Sequence, residues 1–106
     1  MKPGGMGNPM KAIQKMQAEM AKAQEELAEE IVEASVAGGG VKVSMSGDLQ
    51  VKRVEIDPAL VDPDDIGMLE DMVGAAVNEA LRMAQDLANR KMARVTGSMG
   101  LPPGLL

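Results

Sequence analysis

Lys11, Lys15 and Lys22 stand four and seven residues apart, so on a helix they fall within about 40° of one another. Arg90, Lys91 and Arg94 form a second cluster near the other end of the chain. Ammonium and guanidinium groups arranged this way attract phosphate and do no covalent chemistry of their own. The charge around them is sorted by position. Residues 1–22 carry Lys2, Lys11, Lys15 and Lys22 against Glu19, a net of +3, and residues 82–106 carry Arg82, Arg90, Lys91 and Arg94 against Asp86, again +3. Residues 23–81 hold fourteen acids against Lys42, Lys52 and Arg53, a net of −11. The overall charge of −5 argues against a polyanion partner, but its distribution reopens the question. Two basic ends flanking an acidic middle suit a protein whose extremities alone touch phosphate.

Other chemistries are poorly supplied. The 106 residues include no His and no Cys, so the commonest general base, the thiol nucleophile and the usual transition-metal ligands are missing. Ser35, Ser44, Ser46, Thr96 and Ser98 have no His to activate them. Gly38-Gly39-Gly40 is followed by neither a P-loop Lys-Ser/Thr nor a helix start, and reads as a turn. The acids Glu25, Glu26, Glu29, Glu30 and Glu33 lack a calcium-loop pattern and read as a solvated surface. There is no Phe, Tyr or Trp, hence no platform on which unpaired bases could stack. The chain reads as a non-enzyme, with no cofactor, metal or small-molecule substrate implied.

Length predicts one domain over residues 9–97, with Gly-, Pro- and Met-rich flexible tails at 1–8 and 98–106. So short a chain builds a modest core alone, and oligomerisation is a common remedy. No apolar run approaches the roughly 18 residues of a membrane span, and no secretory h-region is visible. A cytoplasmic location is the default expectation.

The elements that must hold the cations follow from periodicity. Asn8-Pro9 reads as a helix start, and Met10, Ile13, Met16, Met20, Ala23 and Leu27 make an apolar stripe to about Glu29 or Glu30. The basic stripe beside it changes sign at Glu26 and Glu29. Val32, Ala34 and Val36 then alternate with polar residues, and after the glycines so do Val41, Val43 and Met45. Gly47-Asp48 fits a two-residue hairpin with Gly at its first central position. Leu49 and Val51 open a third strand on the opposite parity from Val54 and Ile56, which a bulge near Lys52-Arg53 would reconcile. Asp62-Pro63 is a helix start, and the helix runs to about Val95. Its first half is apolar most of the way round. Leu69, Met72, Val73 and Ala76 on that half are read as a homodimer surface, because one small sheet cannot cover them all. The fold class is α+β: a helix, a three-stranded antiparallel meander and a second long helix.

Plainer readings stand beside these. The lysine stripe could be a solvated face, with Glu19 and Glu26 pairing Lys15 and Lys22 four residues away. The second cluster closes a helix, where cations favour the negative pole, and Arg82 and Arg90 each stand four residues from Asp86. An acidic helical adaptor or chaperone-like dimer that binds other proteins is the alternative function.

Several blocks resemble one family. Met10 through Glu26, MKAIQKMQAEMAKAQEE, is similar to the opening helix of the YbaB/EbfC nucleoid-associated proteins. So are Ala37-Gly38-Gly39-Gly40-Val41-Lys42-Val43, Val54-Glu55-Ile56-Asp57-Pro58, Met68 through Val73 and Ala75 through Leu81. The resemblance covers about residues 9–97. It implies a bacterial, tweezer-shaped homodimer of α-β-β-β-α protomers that binds double-stranded DNA and organises the nucleoid or regulates genes. It places DNA contact on helical arms, at the positions matching Lys11, Lys15, Lys22, Arg90, Lys91 and Arg94.

Overall fold

A computed structural model describes residues 9–98. The expected tails lie outside the described residues, except for Ser98, which ends the last helix. Helix α1 spans Pro9–Glu29, strands β1, β2 and β3 span Ile31–Val36, Val41–Ser46 and Val51–Ile56, and helix α2 spans Ile66–Ser98. The strands make one antiparallel sheet in the order β1-β2-β3, so the protomer is α-β-β-β-α as expected.

Register explains which side chains share the core face. Val41, Val43 and Met45 of β2 stand opposite Val36, Ala34 and Val32 of β1. On the other side they stand opposite Ile56, Val54 and Val51 of β3. The pairing steps from Ser44↔Arg53 to Met45↔Val51, which skips Lys52. That is the bulge the parity of β3 demands, and it brings Val51 to the face of Val54 and Ile56. Helix α2 lays Ala76, Ala80 and Ala84 against Ala34, Val41, Val43 and Met45. Alanines four residues apart form one line on a helix, and their small size lets the helix sit close to the sheet.

α2 packs over β1 and β2 and leaves β3 largely exposed. Val41 and Val43 are 0% exposed, while Val51, Val54 and Ile56 on the same face are 49%, 45% and 38% exposed. Ala76 closes the protomer's own core, with Leu69, Met72 and Val73 half-buried at its margin.

The buried side chains of α1 lie in its C-terminal third. Ala23 and Leu27 are buried, and the Gly47 N–H donates to the carbonyls of Leu27 and Glu30, both at 2.9 Å. The hairpin thus satisfies carbonyls that a helix end leaves without partners.

Three local expectations need correction. The β2–β3 turn is a three-residue loop, Gly47-Asp48-Leu49, closed by the Leu49 N–H to the Ser46 carbonyl at 2.9 Å, so β3 starts at Val51. The left-handed residue in it is Leu49 (φ 67°), not Gly47. Gly47 is needed for space instead: a Cβ there would lie 2.7 Å from Leu27 Cδ2 and 2.8 Å from the Leu27 carbonyl oxygen. Helix α2 starts at Ile66, not at Pro63, with the Asp65 carboxylate accepting from the Met68 N–H at 3.2 Å. Asp62 accepts from the Asp64 N–H at 2.9 Å and closes a turn before it, the local alternative that an Asx side chain offers to helix capping. α2 also runs through Gly97 to Ser98 instead of stopping near Val95.

Candidate nucleic-acid interface

The two basic clusters share one end of the protomer because α1 and α2 pack antiparallel there. Lys91 reaches Glu26 and Glu30, while Arg94 and Val95 line a cleft with Glu19, Lys22 and Ala23 further out along α1. The cleft has a volume of about 240 Å³, and Lys22, Lys91 and Arg94 all border it. A single anionic group there would meet cations from both helices. Lys11 and Lys15 continue the basic line along α1 towards its start, and Arg90 lies outside the cleft.

The six sequence-identified cations divide by their partners. Lys11, Lys15, Lys22, Arg90 and Arg94 are exposed, and among the described residues none of them makes an ion pair. Lys91 differs. Its Nζ lies 2.8 Å from Glu30 Oε2 and 3.2 Å from Glu26 Oε1, and its side chain is only 15% exposed. The Glu30 carboxylate paired with Lys91, reinforced by the hydrogen bond Lys91 donates to Glu26, raises its pKa above the ordinary lysine value. It is a cation at every physiological pH.

Helical spacing misassigns some of these partners. Glu26 turns to Lys91 across the helix pair, not to Lys22 one turn away. Asp86 pairs with Arg82 at 3.0 Å, leaving Arg90 outside that pair. Arg82 also holds Glu79 at 2.6 Å, and that hydrogen bond lowers the Glu79 pKa below the usual carboxylate value. Arg82 is therefore locally neutralised. The Lys91 contact joins residues 65 positions apart. Its sequence signal is the sign change along α1, which puts acids where an antiparallel neighbour brings Lys91.

Beyond the cations, Met10 and Ile13 on outer α1 are 61% and 53% exposed. Their stripe is the one that buries Ala23 and Leu27 nearer the sheet, and it continues past the anchored part of the helix. No helix among the described residues is long and apolar enough to cross a membrane.

Comparison with known proteins agrees with the geometry. The family model described as the YbaB/EbfC DNA-binding family matches residues 1–99. A nucleoid-associated protein of Ruminiclostridium cellulolyticum is 47% identical over 102 residues, spanning 96% of this chain and 89% of its own length. One from Moorella thermoacetica is 51% identical over 101 residues, spanning 92% and 97%. The crystal structure of the uncharacterized protein HP0035 from Helicobacter pylori superposes with a TM-score of 0.67 at 23% identity, covering 86% of this chain and 90% of that one. At that identity the likeness shows the shared fold.

Proposed function

This chain belongs to the YbaB/EbfC DNA-binding family, and from that premise we propose that it binds double-stranded DNA through its basic helical arms, without catalysis. The relatives' description as nucleoid-associated proteins supports a role in organising the nucleoid and a location there. The observation that carries the reading is the contrast among cations. Of the seven cations that make no ion pair among the described residues, five, Lys11, Lys15, Lys22, Arg90 and Arg94, lie on the arm and two, Lys42 and Lys52, on the sheet, whereas Arg53, Arg82 and Lys91 each have at least one acidic partner. Unpaired cations gathered at one end of an acidic chain suit counterion release from a duplex. Contacts of this kind go to phosphate, so binding is salt-sensitive and weakly selective, with any preference arising from DNA shape or from Gln14, Gln17, Arg90 or Arg94 in a groove.

The functional unit is a homodimer. Val51, Val54 and Ile56 lie bare on the core face of β3, and Leu69, Met72 and Val73 are only half-buried at the margin of the core. An apolar surface of this extent on so small a chain suits a second copy. Two arms would then project from one acidic body. The alternative, a dimer that binds other proteins, finds support in the exposed Met10, Ile13 and Met20 of α1.

One titration separates the two. A labelled duplex and its single strand are titrated with the protein at several salt concentrations. Tighter duplex binding is expected, with log K falling linearly in log salt by about 0.9 per phosphate neutralised. Equal or tighter single-strand binding, or affinity indifferent to salt, would contradict the proposal.

A further inference from the structure

Helix α1 ends badly by its own resources. Glu26, Glu29 and Glu30 crowd the negative pole of the helix, and its last turn contains no basic residue. The cation it lacks comes from the other helix: Lys91 of α2 lies within 3.2 Å of both Glu26 and Glu30. These contacts sit beside Leu27 and the Gly47 N–H, which also attach α1 to the body. Beyond Ala23, α1 continues towards Pro9 as a lever. Lys11 lies about 18 Å along the helix axis from Ala23, so a tilt of about 10° at the anchor displaces Lys11 by about 3 Å. That is comparable with half the width of a minor groove.

We propose that Lys91 is a positioning residue: it clamps the acidic end of α1 to α2 and so sets where Lys11, Lys15 and Lys22 stand, without itself contacting phosphate. The inference rests on the DNA-binding reading for its consequence, but the clamp itself is independent of DNA. Two features favour it over a phosphate contact. The Lys91 ammonium is already shared by two carboxylates at hydrogen-bonding distance. Its side chain is 15% exposed, with Arg82 at 60% for comparison, so much less of it is open to a phosphate than of an exposed cation. Lys22 and Arg94 border the same cleft without that encumbrance and are the better phosphate ligands.

The test is a charge swap. Lys91→Glu breaks the clamp, and Lys91→Glu with Glu30→Lys rebuilds one ion pair while leaving the local net charge as in the natural protein. Backbone hydrogen exchange in α1 reads the clamp without DNA; duplex affinity and its salt slope read the consequence. K91E should speed exchange from Lys11 to Leu27 and weaken duplex binding. The swap should restore both, with the natural salt slope, although position 91 is now negative. Should K91E fail to fold, Lys91→Gln is read in its place by the same criteria. Exchange in α1 unchanged by either single substitution overturns the clamp. Restored exchange without restored affinity, or a K91Q slope shallower by about 0.9, makes Lys91 a phosphate contact and also overturns it. If the natural protein binds no duplex, the DNA reading fails, and the exchange pattern still decides the clamp.

Discussion

Outer α1 and the middle of α2 both carry an apolar stripe at steps of three and four, yet they meet opposite fates. Ala76, Ala80 and Ala84 are fully buried on the sheet, while Met10 and Ile13 stand more than half exposed. The difference is whether another element arrives to cover the stripe, which periodicity does not encode. It divides the molecule's work. The body, where α2 meets β1 and β2, holds the fold together. The arm carries cations and contributes little burial, so changes there should leave stability alone.

That division predicts a graded series. Ala80→Asp places an unpaired carboxylate at a fully buried position and should cost at least about 3 kcal/mol, abolishing cooperative unfolding in urea. A urea midpoint close to the natural one would mean that the body is not the core. Met72→Asp puts a charge at the half-buried margin proposed to meet a second copy. Light scattering should report loss of the dimer, and a natural protein with monomer mass at micromolar concentration would remove the premise. Gly47→Ala drives a methyl into Leu27 and its carbonyl at the foot of the arm. It should cost about 1–3 kcal/mol, with faster hydrogen exchange in α1, and a neutral result would contradict the close approach. The smallest effect has the opposite sign. Ala37 sits at φ 56°, a left-handed conformation that disfavours side chains. Ala37→Gly should stabilise by about 0.5 kcal/mol after the entropy it adds to the unfolded chain, and destabilisation would contradict that strain.

Much of this architecture is legible in the order of the residues. The element sequence follows from periodicity, and the parity break between Val51 and Val54 requires a bulge, which falls at Lys52. What escapes is set by three-dimensional approach. Gly47 reads as a turn residue needing positive φ, but the demand comes from Leu27 packing above it, while Leu49 takes the left-handed position. Asp62-Pro63 has every mark of a helix start, but Asp65, three residues on, caps instead because Asp62 is satisfied in a local turn. Within the candidate site, the cations are identifiable by type and spacing, but their partners are not. Glu26 has Lys22 at helical distance and pairs with Lys91 across the interface. Local spacing offers pairs, and packing decides among them.

Whether the arm is the DNA surface is tested directly by two charge-matched triple variants. Lys11→Gln, Lys15→Gln and Lys22→Gln neutralise outer α1; Lys42→Gln, Lys52→Gln and Arg53→Gln remove the same charge from the sheet. With duplex affinity measured by anisotropy across a salt series, the arm variant should weaken about tenfold or more with a shallower salt slope, and the sheet variant should change by less than about threefold. Loss of binding in the sheet variant with binding retained in the arm variant would mean that the strands, not the arms, meet the DNA.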